Sequence, residues 1–208
     1  GAFGNVFAIE SFLNELAETA KIDPITFRLN HLEDIRAKEV LLDLQKQLDN
    51  TPLGNNNTRG IAFARYKNSA AYCAVGVEIN ITDDIEIKLI NSWISLDAGE
   101  VVYEEGVKSQ IEGGFIQAAS WTLYEEVEYD AKSILSIDWD HYKIIGFDNI
   151  PEININIIDR KGFPFLGVGE VVAGPVSAAI ANALYECLGV RTRHLPFTKD
   201  KIKNELLK

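Results

Sequence analysis

Two cysteines and three histidines are few for 208 residues. Cys73 and Cys187 form no Cys-x-x-Cys pair and no Cys/His cluster, which argues against a structural zinc or iron–sulfur site held by this chain. Two buried free thiols are expected, in keeping with a reducing compartment. None of His31, His141 and His194 stands with a cysteine or serine in a triad pattern, so each is expected to be structural. Basic charge is also scarce: 20 Lys and Arg against 31 Asp and Glu give a formal charge of -11. Without a basic patch, nucleic acid and anionic membrane surfaces are poor partners. No apolar run approaches the ~20 residues of a membrane span. No signal peptide, tandem repeat or low-complexity linker is visible in this sequence. Gly1 is not a natural start, so a longer polypeptide is expected, with upstream targeting outside this sequence.

What is present has a clear order. Apolar residues Val6, Ile9, Leu13, Leu16, Ala17 and Ala20 form a helical stripe, with Glu10, Asn14 and Glu18 off it. Asp23-Pro24 restarts a helix, with Asp23 as N-cap. A charged third helix follows over 36–48, and a polar, turn-rich loop over 50–57. The period then changes to strands at 60–66, 70–81 and 85–96, with a turn at Thr82-Asp83-Asp84. A helix over 107–126 puts Ile111, Phe115, Ala118, Ala119, Thr122 and Leu123 on one face. Gly113-Gly114 within it costs stability relative to alanine, ~1 kcal/mol each, and points to something packed on the helix backbone. Trp121 and Trp139 are expected to be packing residues. The stretch 133–150 is irregular. Gly189 suits a helix C-cap, and Thr198 caps a last lysine-rich helix.

The stretch Phe165-Leu166-Gly167-Val168-Gly169-Glu170 joins a strand over 153–158 to a helix over 176–187. A carboxylate therefore sits at a strand-to-helix connection between glycines. Gly167 and Gly169 are able to take positive φ and admit a large ligand close to the backbone. Gly174-Pro175 opens the helix. A plain tight turn with a dipole-matching glutamate satisfies the same pattern. The stretch is not a dinucleotide fingerprint, because Val172 stands where Gly-x-Gly-x-x-Gly needs its third glycine.

Several stretches together resemble the molybdenum-binding large subunit of the xanthine dehydrogenase/aldehyde oxidase family. They are Phe7-Ala8-Ile9-Glu10-Ser11-Phe12, Asp23-Pro24-Ile25-Thr26-Phe27-Arg28-Leu29, Asp97-Ala98-Gly99, Gln110-Ile111-Glu112-Gly113-Gly114 with Gln117, and Gly167-Val168-Gly169-Glu170. Ser120-Trp121-Thr122-Leu123 and Leu195-Pro196-Phe197-Thr198 are most similar to the branch of isoquinoline 1-oxidoreductase and nicotinate dehydrogenase. The resemblance runs in consistent order from Gly1 to about Phe197. One departure is Tyr103-Glu104, where the family usually has Asn-Pro, so that loop is expected to be shaped differently.

The resemblance implies an α+β fold, the two-layer molybdenum cofactor-binding domain. The whole of 1–208 would be its C-terminal part: a helical segment over 1–50 and a mixed sheet with helices over 58–208. It implies a molybdopterin cofactor, as the cytosine dinucleotide, and hydroxylation of an N-heteroaromatic ring or aldehyde with oxygen from water. Glu170 matches the family's general base, which takes a proton from a molybdenum-bound hydroxyl. Gln110 matches a glutamine that hydrogen-bonds the pterin, beside Gly169. Gly1 and Ala2 match a loop passing close to the metal. Further cofactor contacts lie in a segment upstream of Gly1. Expected partners are that segment, an iron–sulfur small subunit and a small-molecule substrate. The chain alone is expected to be inactive, free of cofactor and inclined to self-associate. The family's compartment is the cytoplasm, or the periplasm where an export signal is present. Two rivals are a non-catalytic acidic scaffold domain and a nucleotide-binding enzyme using the Gly-x-Gly loop.

Overall fold

The computed structural model describes residues 1–207. Its elements are α1 (Ala2–Ala20), α2 (Pro24–His31), α3 (Ile35–Asp49), β1 (Asn57–Arg65), β2 (Tyr72–Ile81), β3 (Ile87–Asp97), α4 (Glu104–Leu123), β4 (Glu152–Ile157), α5 (Ala173–Leu188) and α6 (Lys199–Leu206). The sheet order is β1-β2-β3-β4. The first three strands are antiparallel neighbours, and β4 returns parallel to β3 after the α4 crossover. This is the expected α+β class.

Both sheet faces are covered. Val75, Val77, Ile79, Ile94 and Leu96 pack with Ile111 and Phe115 of α4 and Val176 and Ile180 of α5. Tyr72, Ala74 and Trp93 of the sheet pack with Val40, Leu41 and Leu44 of α3 on the other face. Burial on both sides explains why β2 is an almost continuous apolar run rather than an alternating one. Gly60 of β1 sets how closely α5 approaches: a Cβ there would lie 2.2 Å from the Ala179 carbonyl and from the Ala183 nitrogen.

Local signals hold at most ends. Asp23 accepts from the Thr26 N–H at 2.8 Å, Thr198 caps α6, and Gly189 closes α5 at φ 69°. The apolar face of α4 is as expected. Tyr103 turns out to be the N-cap of α4 and Glu104 its first residue, so the departure from Asn-Pro falls at a helix start.

α1 corrects the expected stripe. It begins at Ala2, and its buried residues are Glu10, Ser11, Asn14 and Ala17. Ile9 and Phe12 are more than half exposed, and Leu16 is exposed as well. The reason is a non-local ion pair. Arg28 Nε donates to Glu10 Oε2 at 2.9 Å and Arg28 Nη2 to the Glu10 carbonyl at 3.0 Å, while the Phe63 N–H donates to Glu10 Oε2 at 2.7 Å. Burial pushes the Glu10 carboxyl above its usual range, against the opposing pull of Arg28. α1 therefore buries Glu10, Ser11 and Asn14 beside Ala17 and leaves Ile9, Phe12 and Leu16 outward.

Three smaller expectations also change. Cys73 is buried, with its thiol pushed up by burial, but Cys187 is exposed in the last turn of α5. Trp121 packs edge-on against Phe3, whereas Trp139 is exposed and meets only the Tyr142 ring among the aromatic pairs of the described residues. Gly114 has a close neighbour, since a Cβ there would lie 2.7 Å from Val172 Cγ1; Gly113 has open space. No helix among the described residues is long and apolar enough to cross a membrane.

Candidate functional site

The Glu170 turn is held from two directions. Below it, the Leu166 N–H donates to the Ala98 carbonyl at 2.7 Å, and the Ala71 N–H to the Gly167 carbonyl at 3.4 Å. Ala98 is itself fixed, because Asp97 is a buried anchor. Arg36 donates to both its oxygens, at 2.9 and 2.5 Å, and Arg160 Nε and the Gly99 N–H add bonds at 2.9 and 3.0 Å. Burial alone would raise the Asp97 pKa, but these donors outweigh it and hold the carboxyl below its usual range. Gly99 takes φ 72° and leaves no room for a side chain beneath the Pro164 carbonyl. The Asp97-Ala98-Gly99 stretch thus serves as the floor on which residues 163–167 lie.

From the other side, Val171 and Val172 are buried, and Val172 packs on α4 at Gly114. That contact brings the α4 face carrying Gln110 to the turn. Gln110 Oε1 lies 3.7 Å from the point where a Cβ on Gly169 would sit. Glu170 follows immediately, and Gln110, Gly169 and Glu170 are all exposed. Gly167 and Gly169 do not take the positive φ expected of them. What matters at Gly169 is the missing Cβ, which leaves the backbone bare beside a carboxamide.

Tyr66 completes the group and was not among the expected residues. Its hydroxyl donates to Glu170 Oε2 at 2.5 Å. That bond, with burial, raises the phenol above its usual range, so it remains a donor at neutral pH. No spacing rule could find a partner 104 residues away; only its position at the end of β1, beside a turn, was open to reading.

The structure therefore places Gln110 beside Gly169, the residue before Glu170. Gly1 and Ala2 are placed differently from expectation: they form the N-terminus of α1 rather than a loop, and the Asn5 N–H donates to the Gly1 carbonyl at 3.1 Å. They stand a turn before Val6, which packs on Gly174 just beyond the Glu170 turn.

Chemically, the group offers a carboxamide that both donates and accepts, a phenol donor, a carboxylate and uncovered backbone. Such a set fits one edge of a flat, polar heterocycle. Among the described residues no three His, Cys, Asp or Glu side chains group as a metal site.

A mixed sheet covered by helices, with a carboxamide set beside the bare turn that leads into Glu170, makes an α+β unit. The chain belongs to the molybdopterin cofactor-binding domain family, whose sequence pattern matches residues 13–151, and within it to the xanthine dehydrogenase/aldehyde oxidase group. It is 35% identical to one of the chains of nicotinate dehydrogenase from Pseudomonas putida, over 99% of this chain and 19% of that protein. It is 29% identical to the beta chain of isoquinoline 1-oxidoreductase from Brevundimonas diminuta, over 91% of this chain and 25% of that one. The aldehyde oxidoreductase of Desulfovibrio gigas shares the fold, with a TM-score of 0.81 over 100% of this chain and 41% of that one at 14% identity. The chain thus spans about a fifth to a quarter of the length of these two curated relatives.

Proposed function

We propose that this chain is the C-terminal part of the molybdopterin-binding large subunit of a hydroxylase. The whole protein would hydroxylate an N-heteroaromatic ring or an aldehyde with oxygen from water. One observation carries the reading: a carboxamide from α4 lies beside the bare Gly169 backbone of a distant turn, and the exposed Glu170 is the next residue of that turn.

The cofactor, as the cytosine dinucleotide, supplies two-electron redox chemistry when bound. Gln110 hydrogen-bonds the polar edge of the pterin, and Gly169 lets the ring approach the main chain. Gly1 and Ala2 contribute backbone from the start of α1. Glu170 is the general base. Its Oε2 is held by the Tyr66 hydroxyl, which leaves Oε1 to take the proton of the water-derived nucleophile. Tyr66 is a positioning residue, because it fixes the rotamer of the base.

A site assembled from two regions loses its preorganisation when one is absent. The 208-residue chain alone is therefore expected to be inactive and free of cofactor. Its working partners would be the upstream segment of the same subunit, an iron–sulfur small subunit and a small-molecule substrate. The compartment proposed is the cytoplasm, or the periplasm for a subunit with an export signal.

The test is to express the whole subunit with its maturation partners, then measure bound molybdopterin and dye reduction by N-heterocycles and aldehydes. A folded subunit that carries no molybdopterin under those conditions overturns the reading.

A further inference from the structure

The two edges of the sheet are finished differently. On β1 the outward main-chain groups are taken up by side chains. The Phe63 N–H donates to Glu10 Oε2 at 2.7 Å, and Asn182 Nδ2 donates to the Ile61 carbonyl at 2.9 Å. α1 and α5 thus close that edge. β4 has no such cover. The Ile158 N–H donates to the Leu96 carbonyl at 2.8 Å, and the Glu152 carbonyl accepts from Ser92 Oγ at 3.1 Å. Main-chain groups alternate in direction along a strand, so those of the even-numbered residues face β3 and those of Ile153, Ile155 and Ile157 point away from it. None of the latter has a hydrogen-bond partner among the described residues.

An edge of this kind templates another strand unless something blocks it. Nothing in β4 does. Glu152–Ile157 contains no proline and no lysine, and its pairing with β3 runs without a bulge. There is also room beside it. A groove of about 480 Å³ touches Ile155, Asn156 and Ile157 in succession, so it follows the edge, and Val102, 86% exposed, lines it.

The side-chain pattern selects the occupant. Ile153, Ile155 and Ile157 pack against the core that includes α4, whereas Asn156 on the other face bonds Asp43 of α3 at 2.7 Å. Laid antiparallel against a copy of itself, with Ile155 opposite Ile155, the strand sets Ile153 opposite Ile157 and Asn154 opposite Asn156. Each outward N–H then meets an outward carbonyl, and like side chains share each face. Charge agrees with this register. Glu152 would stand diagonal to Arg160 of the other copy on the α3 side, where Arg160 uses Nε on Asp97 and Nη2 on Glu39 and leaves Nη1 without a bond among the described residues.

We propose that β4 is a docking edge for a second copy of this chain, the two strands pairing antiparallel about a two-fold axis so that one sheet runs through both copies. The inference is independent of the Glu170 group and of the function proposed for it.

The test follows sedimentation of the 208-residue chain over a concentration series, with Ile9→Lys and Phe12→Lys present to silence the outer face of α1. A reversible monomer–dimer equilibrium is expected, and a weak one, because an edge contact buries little area. Ile155→Pro deletes one outward N–H and no bond to β3, and should raise the dimer dissociation constant at least tenfold. Glu152→Arg sets like charges on the diagonal and should raise it severalfold. Amide hydrogen exchange at Ile153, Ile155 and Ile157 should slow as concentration rises; it decides the matter if the proline variant does not fold. A chain that stays monomeric throughout, a dimer unchanged in Ile155→Pro, or exchange at those three amides that ignores concentration would each overturn the proposal.

Discussion

Glu10 and Glu170 are the same residue put to opposite uses. Glu10 is 4% exposed and takes bonds from Arg28 and from the Phe63 backbone. Glu170 is exposed and takes one described bond, from Tyr66, through one of its two oxygens. The first is buried, takes two bonds through its Oε2 and is structural. The second is left half-engaged at an open edge, beside a carboxamide and bare backbone. What separates them is burial and a cationic partner, more than where each glutamate stands in a motif.

The strongest way to break the comparison is at Arg28. Arg28→Ala strands a buried carboxylate and should cost about 3–5 kcal/mol in denaturant unfolding. A loss under about 1 kcal/mol would mean that the buried pair does not set the face of α1. Gly60→Ala should cost about 1–3 kcal/mol, because its Cβ meets the α5 backbone rather than a movable side chain. Tyr66→Phe should leave stability within about 0.5 kcal/mol and lower turnover of the whole enzyme ~10-fold, equivalent to about 1.4 kcal/mol. Equal activity in that variant would remove Tyr66 from the site.

The pH dependence of stability sharpens the same contrast. Asp97 has its folded pKa held below 3.8, so its stabilisation is present above its unfolded pKa of ~3.9 and is lost as pH falls through the folded value. Glu10 runs the other way. Its folded pKa is raised above 4.5, so its contribution is present below that value and is lost as pH rises through the folded value. Asp97→Asn should therefore flatten the loss of stability below about pH 4, whereas Glu10→Gln should reduce the decline at higher pH. A small effect is expected at the outer face of α1. Ile9→Lys with Phe12→Lys should reduce self-association of the isolated chain in light scattering, with little change in melting temperature.

Much of this was legible in the residues. The helix face of α4, the caps at Asp23 and Thr198, the Gly189 stop and the strand periods depend on local chemistry, and they stand. The errors share a physical cause. The outward face of α1 is set by Arg28, eighteen residues from Glu10, and hydrophobic spacing carries no trace of that bond. Cys187 lies in the last turn of α5, beyond the run 174–184 that is buried on every face, and composition does not tell where that burial ends. Trp139 lies in the irregular stretch, where no period assigns a face. At the candidate site, Gln110 and Glu170 were named through resemblance and the bareness of Gly169 follows from its lack of a Cβ, but Tyr66 was visible only once the chain was folded.

The central claim is that Glu170 moves a proton while Gln110 holds the cofactor. The direct measurement compares molybdenum content and turnover for Glu170→Gln and Gln110→Ala in the whole subunit. The account predicts that Glu170→Gln keeps its molybdenum and loses turnover by ~10²–10⁴-fold, the usual worth of a positioned acid or base. It predicts that Gln110→Ala loses molybdenum roughly in step with its activity. Full turnover in Glu170→Gln, or loss of molybdenum from that variant in place of chemistry, would contradict it.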